Sequence, residues 1–256
     1  TPEPAGVPPA HEPEPHQVSM WQVLRDHRAI FATLGIAIFA VGATRGARQT
    51  VIPLWAEHLG IEPATTSLLF AVSGAADMLL FYPSGKIMDR FGRLWVGVPS
   101  MLLLGTAMIC LPFATTPVAV GVVAIFIGLG NGIGSGVLMT LGADTAPTEI
   151  RAQFLAVWRL IQDSGNATGP LVVSAGAALG SLAGGIIAMG AVGIGAAGAL
   201  LRWTPRWSVH ACRRTREAAG IVSSGPLSGA PEPTTGPPRP NQPQPGKSTD
   251  LTQAQR

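Results

Sequence analysis

Gly85-Lys86-Ile87-Met88-Asp89-Arg90-Phe91-Gly92-Arg93 is a nine-residue charged stretch between two long apolar runs, Thr65–Ser84 and Leu94–Phe113. The first run carries one ionisable residue, Asp77, and the second carries none. About 20 apolar residues suffice for a helix to cross a hydrocarbon layer about 30 Å thick. Two such runs joined by a short basic segment read as a membrane hairpin whose turn stays in water.

Four further apolar runs flank this pair: Ala29–Ala56, Val118–Leu141, Phe154–Ala178 and Ser181–Leu201. The chain is 47% hydrophobic and only 12% charged over its 256 residues, with a mean hydropathy of +0.35. Soluble domains carry about 25% charged residues, so most of this chain avoids water. The expected fold is all-α: six transmembrane helices in one bundle. Lys and Arg fall on alternate sides of it. They occur at Arg25 and Arg28, at Lys86, Arg90 and Arg93, at Arg151, and at Arg202, Arg206, Arg213, Arg214 and Arg216. The intervening loops His58–Ala64, Ala114–Pro117 and the turn near Gly180 have none. Positive charge in short loops marks the cytoplasmic face. A multi-pass protein of the cell membrane with both termini cytoplasmic follows. Trp21, Trp95, Trp203 and Trp207 then lie at cytoplasmic helix ends, as an aromatic belt requires.

The organisation reads as a Pro-rich segment (1–17), an interfacial lead-in (18–28), a six-helix domain (29–203) and a basic, then low-complexity tail (204–256). The Pro-, Gly- and Ser-rich ends are expected to be disordered, because they cannot bury enough apolar surface to offset ordering entropy. The 17 basic and 14 acidic residues nearly balance, which argues against a nucleic-acid partner. Two cysteines, Cys110 and Cys212, make no disulfide framework. Neither a His-Glu-x-x-His metal pattern nor a phosphate-binding Gly-x-x-x-x-Gly-Lys loop occurs. No metal, cofactor or catalytic residue is therefore expected, and ATP is not the expected energy source. Glycines recur every four residues at Gly128, Gly132 and Gly136, with a second row at Gly130 and Gly134, and again at Gly176, Gly180 and Gly184. Small residues in such rows let helices approach closely in lipid.

The stretch Gly85–Arg93 resembles the Gly-x-x-x-Asp-Arg-x-Gly-Arg signature of the major facilitator superfamily. Leu94 stands where that family often has another basic residue. Asp144-Thr145-Ala146-Pro147 with Glu149 and Arg151 is similar to the family's loop between helices 10 and 11. Asp163 to Pro170 resembles the Gly-Pro-containing helix of its drug-efflux members, although Leu171 and Val172 depart from the full antiporter pattern. The resemblance covers about Val18 to Arg216. It implies one half of a twelve-helix bundle. A Pro-rich lead-in and a basic tail suit helices 7–12, the C-terminal half, with the N-terminal half preceding Thr1 or replaced by a second copy. The implied function is secondary active transport of a small solute by alternating access, proton-coupled and directed outward. A six-helix channel or a non-transporting assembly subunit is the alternative; an enzyme is not expected. The partners are the lipid bilayer, the small-molecule substrate and a coupling proton.

Five ionisable residues fall within the expected spans: Arg45, Arg48, Asp77, Arg159 and Asp163. Each costs about 2.5–3.5 kcal/mol at the bilayer centre, so all should face the bundle interior or an aqueous cavity. Arg159 and Asp163, four apart, share a helix face and can pair. Asp77, about 10 Å from the cytoplasmic end of its span, and Asp163 are the candidate proton carriers. Arg45 and Arg48 are candidates for drawing in an anionic substrate or closing the outer end, and Asn131 for lining the path. At the cytoplasmic end, Gly85 and Gly92 should permit a tight turn. Asp89, Arg90, Arg93, Glu149 and Arg151 should form ion pairs that open and close.

Overall fold

A computed structural model describes residues 19–208, 210–212, 215 and 219. These contain only helices and turns. The stretches expected to be disordered, 1–17 and 220–256, lie outside the described residues, as do Arg213, Arg214 and Arg216. A short helix α1 (Met20–Asp26) leads in. It is followed by α2 (Arg28–His58), α3 (Pro63–Phe91), α4 (Leu94–Cys110, extended by a 3-10 turn to Phe113), α5 (Pro117–Ile133), α6 (Val137–Thr145), α7 (Arg151–Ala178) and α8 (Leu182–Trp207).

Local chemistry explains the ends. Pro63 and Pro117 occupy first-turn positions, where no amide hydrogen is missed. The hydroxyls of Thr116 and Ser181 accept from the amides of Ala119 and Gly184 and cap α5 and α8. In α2, residues Phe31–Gly35 are wound more loosely, as a π-helical turn.

Among the described residues, five helices are long and apolar enough to cross a membrane: Arg28–His58, Pro63–Phe91, Leu94–Phe113, the α5–α6 pair Pro117–Thr145, and Leu182–Trp207. The remaining long helix, α7, is diluted by Arg159, Gln162, Asp163 and Asn166 and is not among them. The fourth expected span is broken. Gly134, Ser135 and Gly136 interrupt it, with Gly136 in the left-handed region at φ 84°. The sixth helix runs to Trp207, past the expected domain end at residue 203.

Helix packing rests on missing side chains. On α2, a methyl at Gly42 or Gly46 would strike the backbone carbonyl of Gln162 or Asn166 on α7. On α7, a methyl at Gly165 or Gly169 would strike that of Phe39 or Ala43 on α2. The α4–α8 crossing repeats the device, since a methyl on either Gly105 or Gly190 would come within 2.7 Å of the other's carbonyl oxygen. Gly128 and Gly132 place α5 against α3, and Gly130 places it against Leu104 of α4. The rows read from the sequence are therefore mostly contact faces, except that Gly136 and Gly180 serve as open left-handed turn residues and Gly184 meets only the capping Ser181 of its own helix. The core fills with Trp158, Phe154, Ile38, Met101, Leu104 and Met108, all fully buried. By contrast α3 buries only Ser73, Ala76, Ser84 and Met88.

Gly46→Ala and Gly169→Ala should each lower the thermal midpoint of the detergent-solubilised protein, followed by helical circular dichroism. The expected overpacking cost is about 1–3 kcal/mol. Gly198→Ala, where a methyl meets nothing within 4 Å, should leave the midpoint unchanged or raise it.

Candidate functional site

The structure gathers three of the six intramembrane candidates into one cluster. Asp77 lies 14 residues from either end of α3, and Asn131 lies 14 residues from either end of the α5–α6 pair. Both therefore sit at the middle of their helices. α3 continues helically through the signature stretch to Phe91. Arg48 Nη1 donates to Asp77 Oδ2 at 3.0 Å, and Asn131 Nδ2 donates to the same oxygen at 2.9 Å. One carboxylate oxygen thus ties α2, α3 and α5 together. The Arg48 side chain is 8% exposed and that of Asp77 is 23% exposed. At such burial a charged pair is screened little by solvent.

Arg45 lies one turn earlier on α2 and enters the break between α5 and α6. A Cβ on Gly134 would collide with Arg45 Nη2 and with Ser100 Oγ, so the guanidinium fits because Gly134 carries no side chain. It sits where α5 ends at Ile133, the negative end of the helix dipole, which favours a cation. The Nε atoms of Arg45 and Arg48 are buried without a hydrogen-bond partner.

Arg159 and Asp163 lie apart from this cluster. They pair at 3.6 Å along one face of α7, but their side chains are 61% and 56% exposed. They lie on the outside of this six-helix unit and not in its interior. The reason is the glycine face: Gly165 and Gly169 turn inward to meet α2, so residues on the opposite side of α7 point away.

The signature stretch is helical from Gly85 to Phe91, and only Gly92 and Arg93 make the turn. Gly92, at φ 103°, is the residue that needs glycine there, whereas Gly85 sits inside the helix. Arg93 forms a fork on Asp144 at the end of α6, with Nε–Oδ2 at 2.8 Å and Nη2–Oδ1 at 3.3 Å. Both side chains are about 15% exposed. The two parallel bonds make this the strongest kind of ion pair a guanidinium forms. Asp89 is exposed and partnered, and Arg90 stacks on Phe91 at 5.5 Å. Glu149 and Arg151 are exposed and make no ion pair among the described residues. The sequence reading named the stretch containing Asp144 but not Asp144 as the partner of Arg93. An acid near a basic turn was the available signal. Ser100, Gly134 and the segment after α8 gave none.

Arg48→Ala should destabilise by about 3–5 kcal/mol, because it leaves the Asp77 charge uncompensated. Arg48→Ala with Asp77→Ala should recover most of that loss. Arg159→Ala should cost no more than about 1 kcal/mol, as exposed pairs do. For the fork, a double-mutant cycle of Arg93→Ala and Asp144→Ala should give a coupling of about 0.5–3 kcal/mol. Thermal unfolding in one detergent measures all of these.

A family model described as Major Facilitator Superfamily matches residues 8–236. The MFS-type transporter clz4 of Cochliobolus lunatus is 30% identical over 148 residues, which are 57% of this chain and 26% of that protein. The chain thus spans about a quarter of the length of the curated relative it matches. Since the family match covers every helix of the bundle, the chain belongs to the Major Facilitator Superfamily.

Proposed function

We propose that this chain is the C-terminal six-helix half of a secondary transporter that exports a small solute from the cell by alternating access. Asp77 is its proton carrier. Family membership supports transport across a membrane. The observation that carries the finer reading is the shared carboxylate of Asp77, held at mid-helix by Arg48 and Asn131. Adding a proton cancels the charge that holds Arg48. Losing that attraction frees α2 and α3 to move relative to each other, so protonation and helix movement become one event.

The surface supports a second half. α3 leaves Met78, Leu79, Phe81 and Tyr82 largely exposed, and α7 exposes Arg159 and Asp163. Charges at mid-helix are expensive against lipid. A face that mixes them with large apolar groups fits a protein partner enclosing a water-filled path, which six further helices would supply. α7 would then be the sixth crossing helix, its polar side turned to that path. The termini and the Gly92–Arg93 turn would be cytoplasmic, by the distribution of Lys and Arg. The Arg93–Asp144 fork would close the cytoplasmic end of the path, with Asp89, Arg90, Glu149 and Arg151 lining it.

Ethidium extrusion from cells expressing the full-length protein tests this reading. The wild type should extrude faster than vector controls, and a protonophore should abolish the difference. Asp77→Asn should fall to the control rate, while Asp163→Asn should extrude at the wild-type rate. Extrusion by Asp77→Asn that stays protonophore-sensitive would remove Asp77 from the coupling step.

A further inference from the structure

The helix that follows the signature turn, α4, has no side-chain cap at its start. The first amides of a helix lack intrahelical partners and must find acceptors elsewhere. Here the segment after α8 supplies them. The Arg93 amide donates to the His210 carbonyl at 3.3 Å, and the Leu94 amide donates to the Ala211 carbonyl at 3.0 Å. Ala211 is completely buried. A Cβ on Gly92 would sit 2.7 Å from the Ala211 oxygen and 2.9 Å from Cys212 Cα, so the segment lies directly on the turn.

The segment is shaped for this place. Helix α8 ends after Trp207, shortly past Pro205. The Ala211 amide turns back to the Ser208 carbonyl at 3.2 Å. Thr215 Oγ1 accepts from the Cys212 amide at 3.0 Å and donates to the Cys212 carbonyl at 2.8 Å. Beneath it lies an apolar groove of about 600 Å³, lined among others by Trp95, Val98, Leu201 and Pro205.

We propose that the stretch carrying Ser208, His210, Ala211, Cys212 and Thr215 is a reversible clasp that caps α4 and, through Arg93, holds the Arg93–Asp144 fork closed. Arg93 is the link: its backbone is fixed by the clasp, and its side chain grips α6. Among the described residues, docking involves two hydrogen bonds from backbone amides and the burial of Ala211 and Ser208, a contact small enough to open without unfolding a helix. When the clasp leaves, the Gly92–Arg93 turn loses its support and the fork loosens. The docking follows from the fold alone. Its effect on transport rests on the cytoplasmic-gate reading of the fork.

Two variants of the full-length protein test it: Ala211→Trp, which cannot bury its side chain there, and a stop after Trp207. Amide exchange at Arg93 and Leu94 should quicken about tenfold or more in both, with exchange at Leu104 and Val173 unchanged. Should Ala211→Trp disturb the whole bundle, the truncation, which adds no bulk, gives the answer. Unchanged exchange at Arg93 and Leu94 would overturn the clasp. Spin labels on Arg90→Cys and Thr148→Cys, in a background with Cys110→Ser and Cys212→Ser, read the fork. The distance distribution should broaden when the clasp is removed. Faster exchange with an unaltered distribution would overturn the link to the fork. Failure of the wild type to extrude ethidium would instead count against the transport reading and leave the docking result standing.

Discussion

Helices α2 and α7 touch backbone to backbone, because Gly42 and Gly46 on one and Gly165 and Gly169 on the other leave nothing between them. In lipid, helices gain little from burying apolar side chains against each other, so close backbone approach is the main source of attraction. That contact orients both helices. On α2 the glycine row and the two arginines are separated by about 110° around the axis, at about 100° per residue. Seating the glycines on α7 therefore turns Arg45 and Arg48 toward α3 and α5. On α7 the same contact sends Arg159 and Asp163 outward.

Once the arginines are so aimed, the polar cluster follows from electrostatics. An unpaired buried charge is too expensive, and Asp77 is the acid within reach of Arg48. Gly132 brings the α5 backbone against Asp77, and the neighbouring Asn131 reaches the same carboxylate oxygen. Arg45 is accommodated differently. The break at Gly134–Gly136 removes a side chain and ends a helix in its path, so the guanidinium meets the carbonyl end of α5 and not a wall of side chains. A glycine-rich interruption that looks in sequence like a source of flexibility here also makes room for a buried cation.

The opposite concentration of polar chemistry, at the signature turn, depends on long-range closure. Arg93 bridges to Asp144, 51 residues later, and its backbone is met by His210, more than a hundred residues later. Trp158 adds a nearby tie, its indole Nε1 donating to the Leu138 carbonyl at 2.9 Å while its ring fills the space above Gly142. The short helix α6 is thus held from two sides, by Arg93 at Asp144 and by Trp158 at Leu138.

The sequence by itself determined the all-helical class, the location of the long helices though not all of their ends, a glycine turn within Gly85–Arg93 and the family signature there. These are local properties: apolar run length, proline and glycine placement, and charge in short loops act within one or two turns of helix. Five of the six expected spans carry their evidence in composition. The remaining one, α7, is read as an apolar run but is diluted by polar residues, and contact with α2 seats it. Tertiary structure alone decided the partners. Which acid meets Arg48, why Arg159 points outward, that Asp144 and not Glu149 receives Arg93, and that the chain's own later segment caps α4 all depend on how helices are rotated about their axes. That rotation is set by glycine contacts between helices far apart in the chain, and no spacing within a single helix encodes it.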